Sequence, residues 1–160
     1  MSIHNEVKLV ILRGIPGSGK SHYAQEIRED LAAAVLSADD YPGLYTEEDG
    51  KVAFHPELLG EAHGRCLRQA VYCLQNRNSA IIDNTNLSTE ECAPYVALGL
   101  AYGASVEIHN VEAPVDVAFK RQTHGVPRDT HWSMYDRFVS FDPPYHWKKA
   151  VEFRQGKCRV

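Results

Sequence analysis

The chain has 160 residues, 44% of them hydrophobic and 24% charged, with a net charge of −4. That length suits one domain spanning 1–160 with a sizeable core, and no apolar run nears the ~18 residues of a membrane helix. The acidic balance argues against a broad, sequence-independent grip on duplex DNA, while leaving room for a local basic groove that takes one strand end. The opening residues Met1–Glu6 lack the basic and apolar regions of a secretory signal. The four cysteines, Cys66, Cys73, Cys92 and Cys158, form no C-x-x-C pair. They read as buried free thiols in a reducing compartment, so the expected location is cytoplasmic.

Strand and helix patterns alternate along the chain. The apolar run Val7–Leu12 reads as a buried strand, and Ser21–Leu31 as the helix that follows. Between them lies Gly14-Ile15-Pro16-Gly17-Ser18-Gly19-Lys20-Ser21, which fits G-x-x-x-x-G-K-[ST], the phosphate-binding P-loop. Ala33–Ser37 is a short second strand, with Ala38-Asp39-Asp40-Tyr41 at its carboxyl end, and residues 42–54 read as a polar loop. A long helix is expected from Pro56 to Gln75, burying Leu59, Ala62, Cys66, Ala70 and Cys73, which recur every three or four positions.

Ser79–Ile82 is a third strand, closing in Asp83-Asn84-Thr85-Asn86. The next helix, Ser88–Tyr102, starts with a Ser88/Glu91 capping box, carries Pro94 as a kink or break, and stops at Gly103. Ser105–Val111 is the fourth strand. A helix over Pro114–Thr123 is interrupted by His124-Gly125-Val126-Pro127 and resumes from Arg128 to Phe138, with Trp132, Tyr135, Phe138 and Val139 as a core stripe. The tail after Pro143-Pro144 has no readable pattern.

This alternation predicts an α/β fold: a P-loop NTPase-type parallel sheet flanked by helices, with a short lid segment. Ligands of such sheets bind at the carboxyl ends of the strands. The chemistry-bearing residues converge there. Gly14, Pro16, Gly17, Ser18 and Gly19 form a backbone cradle for phosphates, Lys20 reaches the β- and γ-phosphates, and Ser21 holds Mg²⁺. Asp39 is the candidate general base, with Asp40 beside it, and the turn-forming role common for Asp before Pro42 is its plain alternative. Asp83 can hold Mg²⁺ through water, or serve only as a turn at a strand end. Arg121 and Arg128 flank the interruption and can close over ATP, or stand as solvated arginines. His124 reads as a turn residue. N-K-x-D and L-S-G-G-Q are absent, which leaves phosphoryl transfer with ATP and Mg²⁺ ahead of guanine switching or motor work.

The ordered set G-I-P-G-S-G-K-S, S-A-D-D-Y, I-I-D-N-T-N and K-R-Q-T-H-G-V-P resembles the P-loop polynucleotide 5′-hydroxyl kinases. With F-H-P-E-L-L-G-E-A-H (residues 54–63) and H-G-V-P, the chain is similar above all to small kinase-like ATPase domains related to a ubiquitin-ligase-binding protein. The likeness runs from Val7 to Phe138. It implies that Lys20 and Ser21 bind ATP and Mg²⁺, that Asp39 is the base, that Asn84 and Thr85 border the acceptor, and that Arg121 belongs to the lid. The implied reaction is transfer of the ATP γ-phosphate to the 5′-hydroxyl of a DNA or RNA end.

The chain departs from the viral members of that family in two places. They carry an acceptor-binding arginine three residues after the base, where this chain has Pro42, and a longer lid with a second arginine. The acceptor is therefore open between a nucleic acid 5′ end and a nucleoside, nucleotide or modified base. A non-catalytic ATP-binding switch module is the reading from another class, although a pure switch has no need of a base at Asp39.

Overall fold

A computed structural model describes residues 5–157. Five parallel strands form the main sheet: β1 (Lys8–Arg13), β2 (Ala34–Leu36), β5 (Ala80–Ile82), β6 (Ser105–Val111) and β7 (Val151–Gly156), in the order β2-β5-β1-β6-β7. β1 is central, pairing with β5 (Ile11 opposite Ile82) and with β6 (Ile11 opposite Ile108). Leu9, Val10, Ile11 and Leu12 are all fully buried. Side chains alternate along a strand, so Leu9 and Ile11 enter one core layer and Val10 and Leu12 the other. An apolar run without alternation is what a strand covered on both faces requires.

Helix α1 (Lys20–Leu31) covers one face through Tyr23 and Ala24. Helices α2 (Leu59–Gln75) and α3 (Thr89–Ala101) cover the other. Ala62, Cys66, Ala70 and Cys73 are buried as expected, but Leu59 is not; it is 38% exposed. Residues Pro56–Leu58 form a separate 3-10 turn, so the long helix starts three residues later than its sequence pattern suggests. Gly99 lets α3 approach the sheet, because a Cβ there would stand 2.5 Å from Val106 Cγ2. Pro94 does not break the helix: α3 runs through it. One lost backbone bond is outweighed by the burial of Cys92, Tyr95 and Val96. The cap forms as read, with the Glu91 N–H donating to Ser88 Oγ, while the Glu91 carboxylate accepts from the Leu87 N–H.

Three further stretches differ from expectation. The supposed loop 42–54 holds an antiparallel hairpin, β3 (Tyr45–Glu48) with β4 (Lys51–Phe54). Its turn, Asp49-Gly50, has positive φ at both residues, as a two-residue hairpin loop demands. The tail is ordered as α6 (Trp147–Ala150) and β7, which extends the sheet beside β6. Buried Trp147 and Val151 anchor it to the core. On α5 (Arg128–Val139), Phe138 is buried and Trp132 and Tyr135 half-buried, but Val139 is 58% exposed. Helix α4 (Val115–Arg121) precedes the interruption, residues 122–127, whose shape is closed by Gln122: its side-chain amide exchanges two hydrogen bonds with the Val126 backbone.

Cys66, Cys73 and Cys92 are buried free thiols; Cys158 lies outside the described residues, as do Met1–His4 of the opening stretch. Among the described residues, no helix is long and apolar enough to cross a membrane.

Candidate active site

A cleft of about 1150 Å³ opens at the carboxyl ends of β1, β2 and β5. The P-loop forms its floor, the β3–β4 hairpin and α2 one wall, and residues 121–127 the opposite rim. Each wall is placed by local chemistry. The Gly14 N–H donates to the Thr85 carbonyl (3.0 Å), tying the P-loop to the end of β5. Gly17 sits at φ +82° against α4, where a Cβ would stand 2.0 Å from the Ala118 carbonyl oxygen. Only glycine satisfies both the left-handed backbone and that contact.

Lys20, Ser21 and Asp83 meet on the floor. Ser21 Oγ donates to Asp83 Oδ2 at 2.8 Å. Burial pushes the Asp83 carboxyl up, opposed by the Lys20 charge and the Ser21 hydrogen bond. Burial likewise pulls Lys20 down, opposed by Asp83 and Asp39. Asp83 Oδ1 and Ser18 Oγ are buried with no hydrogen-bond partner among the described residues. Buried polar atoms are ordinarily satisfied. A carboxylate oxygen and a hydroxyl left open beside a lysine on a P-loop fit a cation and a phosphate, so the donor set suits Mg²⁺ and ATP with Ser21 and Asp83 on the metal side. No group of three or more His, Cys, Asp or Glu that could hold a metal by itself occurs among the described residues, consistent with Mg²⁺ held largely by substrate phosphates and water.

Asp39 stands on a 3-10 turn, Ala38–Asp40, at the end of β2. The turn is held by Ser37 Oγ, which accepts from the Asp39 N–H (3.2 Å), and by Asn84 Oδ1, which accepts from the Ala38 N–H (2.8 Å). Asp39 lines the cleft and is open to solvent. Tyr45 lies near it; burial first, and that carboxylate next, push the Tyr45 hydroxyl up to about 12. From the rim, His124 Nε2 comes within 3.6 Å of Asp39 Oδ2.

Pro16, Gly17, Gly19, Lys20, Ser21, Asp39, Asp83, Asn84, Thr85 and Arg121 all line this one cleft. Gly14 and Ser18 are buried beneath it. Asn84 is only 7% exposed, and its amide is spent on Ala38 and on Cys66 Sγ (3.6 Å). It braces the Asp39 turn. Asp40 and Arg128 fall outside the lining: the Asp40 carbonyl accepts from Arg65 Nη1, and the Arg128 guanidinium lies 4.1 Å over the Trp132 ring. The sequence marked residues 42–54 only as a stretch that shapes the acceptor site, without singling out Tyr45 and Phe54, and it did not mark His124 or Arg137 as cleft residues. The Asp49-Gly50 turn signal marked the hairpin that carries the first two; nothing local marked His124. Arg137 is engaged by Glu91 at 2.6 Å.

Known proteins share this architecture. The sequence profile of the AAA domain matches residues 9–131. NEDD4-binding protein 2 of Homo sapiens is 39% identical over an alignment of 142 residues that covers 82% of this chain and 8% of the human protein. The chain therefore spans under a tenth of that relative's length. A chain of the Pnkp1/Rnl/Hen1 RNA repair complex superposes with a TM-score of 0.69 at 25% identity, over 86% of this chain and 46% of that one. The APS kinase CysC of Mycobacterium tuberculosis, in complex with AMPPNP and APS, gives a TM-score of 0.62 at 20% identity, over 97% and 91% of the two chains. At that identity the likeness is one of fold.

Proposed function

The chain belongs to the AAA domain family and has the fold of a P-loop kinase, and from that premise we propose that it is an ATP- and Mg²⁺-dependent phosphotransferase acting on the 5′-hydroxyl of a DNA or RNA end. One observation carries the reading: a carboxylate, Asp39, shares a single cleft with the Lys20–Ser21–Asp83 floor but stands on a different strand end. A γ-phosphate held on the floor then has a base beside it for in-line attack.

In this mechanism the P-loop amides and Lys20 hold the ATP phosphates. Ser21 and Asp83 would hold Mg²⁺, which would supply neutralising charge to the phosphates during transfer. Asp39 takes the proton of the attacking hydroxyl as its oxygen bonds to the γ-phosphorus and the bond to the β-phosphate oxygen breaks, leaving ADP. Lys20 offsets charge developing on the transferred group, and Arg121 does so from the rim. Asn84 keeps the Asp39 turn in place, and Thr85 lines the same cleft, where it would border the acceptor.

A nucleoside or nucleotide acceptor is the second reading. Pro42, exposed just past the Asp39 turn, favours it, because that position carries no side-chain cation to steady an acceptor phosphate and the nearby Arg65 donates to the Asp40 carbonyl instead. The test is transfer of label from γ-labelled ATP to 5′-hydroxyl DNA and RNA oligonucleotides and to a nucleoside panel. Label on an oligonucleotide end, reduced about 10²–10³-fold or more in Lys20→Ala, supports the proposal. Label on nucleosides alone moves the acceptor class. ATP bound but no label on any acceptor overturns the enzyme reading in favour of a nucleotide-sensing module.

A further inference from the structure

The acceptor wall of the cleft is apolar and aromatic. Among the described residues, three of the exposed large hydrophobics, Val52, Phe54 and Leu59, line this one cleft. Phe54 is 44% exposed although it faces a concave surface that a side chain could fill. Contiguous apolar surface of this kind marks a binding site. Three rings run in a row along it. Tyr45 lies 5.3 Å from Phe54 at an interplanar angle of 33°, and 4.8 Å from His124 at 37°. The row begins on β4, passes through β3, and ends on the rim at His124, whose other contact is Asp39 Oδ2 at 3.6 Å. The Tyr45 hydroxyl also feels the charge of the same carboxylate. The aromatic row thus leads to the base itself.

Its charge is as informative as its shape. The wall residues Tyr45, Val52, Phe54, Leu59, His63 and Leu67 include no lysine, arginine or acid. A phosphate would find no fixed partner there, whereas a flat, neutral ring would gain stacking area and displace water from Phe54. Resting on the phosphotransferase reading above, we propose that Phe54, Tyr45 and His124 form a stacking ledge for the nucleobase of the acceptor's terminal nucleotide, which brings the hydroxyl of that nucleotide to Asp39. The ledge selects a hydroxyl borne by a base-carrying sugar over the same hydroxyl on a bare sugar.

The experiment uses the whole chain with a non-hydrolysable ATP analogue and a 5′-hydroxyl dinucleotide whose terminal base is 2-aminopurine, a fluorophore quenched by stacking. Binding is expected to quench it. Tyr45→Leu and His124→Ala are expected to weaken binding about five- to a hundredfold, while Tyr45→Phe, which keeps the ring and loses only the hydroxyl, retains the quench. With ATP, a dinucleotide abasic at its 5′ end is expected to show KM raised by a similar factor with kcat nearly unchanged. Binding without quenching, no binding of the probe, or equal KM for the base-bearing and abasic acceptors overturns the ledge. Its failure is separable from that of the enzyme reading. Quenching that depends on Tyr45, with no label transferred to any hydroxyl, supports the ledge and removes the phosphotransferase. Label transferred equally to base-bearing and abasic ends keeps the phosphotransferase and removes the ledge.

Discussion

At the scale of single residues, the proposed chemistry turns on Asp39. Its carboxylate is open to the cleft, yet its turn is held by Ser37 and Asn84 and its side chain is met by Tyr45 and His124. A base needs this combination: access for the attacking hydroxyl and a fixed orientation. Asp39→Asn keeps the shape and removes the proton acceptor. It is expected to lower kcat about 10²–10⁴-fold with ATP affinity unchanged in a nucleotide-displacement titration. Transfer at the wild-type rate would show that the proton leaves by another route. Residue identity was legible where the motif is continuous in sequence. The P-loop needs only its own eight residues and the strand before it, so its role can be read locally. Asn84 shows the limit: an amide next to Asp83 looks like an acceptor contact, but β2 lies beside β5, so its amide is consumed by the neighbouring Ala38 turn.

At the scale of elements, the molecule is cross-braced by a residue with no sequence motif. Arg13 ends β1 and is 1% exposed. Its guanidinium donates to the carbonyls of Asn86, Leu87 and Phe138 and to Asn110 Oδ1, and stacks 3.6 Å from the Phe141 ring. One side chain therefore ties β1, the start of α3, the end of α5 and β6 together behind the P-loop. Burial lowers its pKa to about 10, which leaves it charged at neutral pH. Arg13→Met removes the donors and strands buried carbonyls, each worth about 1–3 kcal/mol when unsatisfied. Urea unfolding is expected to show a loss of about 3 kcal/mol or more; a change within about 0.5 kcal/mol would mean that water takes over those carbonyls. Element boundaries were legible where periodicity was long, as in β6 and at the end of α2. The hairpin was not, because its strands are four residues each and half exposed, so their alternation resembles a polar loop. Pro94 misled for a related reason: its local cost is real, but the cost is borne by a helix buried against β1 and β6.

At the scale of the whole molecule, acid stability is set by buried groups on β6 and α5. His109 is buried and bonded to Tyr23 (2.6 Å) and Glu107 (3.2 Å), and His131 is fully buried between the rings of Phe119 and Trp132. Burial pulls both below the usual 6.5. The unfolded chain then binds protons more readily than the folded one, so stability is lost as pH falls below 6.5 toward the lowered folded values. Glu107 acts in the same direction at lower pH. Burial raises it, but hydrogen bonds from Lys8 and His109, with the charges of Lys8 and Arg154, outweigh that and hold it below its usual value of 4.5. Asp83, raised by burial, works the other way. Urea midpoints are expected to fall between about pH 7.5 and pH 5.5, and His109→Gln is expected to flatten that slope. An unchanged slope in the variant would place the acid sensitivity elsewhere.

The amino-acid sequence by itself determined the layer architecture, the P-loop and its Lys20–Ser21 end, the strand-end aspartates Asp39 and Asp83, and the family. These are carried by short-range periodicity and by motifs whose backbone chemistry is complete within a few residues. Only the tertiary structure decided which of the marked residues share a cleft. It admits Arg121 to the lining and places Arg128 over Trp132, and it spends Asn84 on a brace. It also brings Tyr45, Phe54 and His124, up to 79 positions apart in sequence, into one row beside Asp39. The reason is physical: side-chain partners across a parallel sheet are chosen by strand order, and strand order β2-β5-β1-β6-β7 is a property of how the whole chain buries its apolar faces.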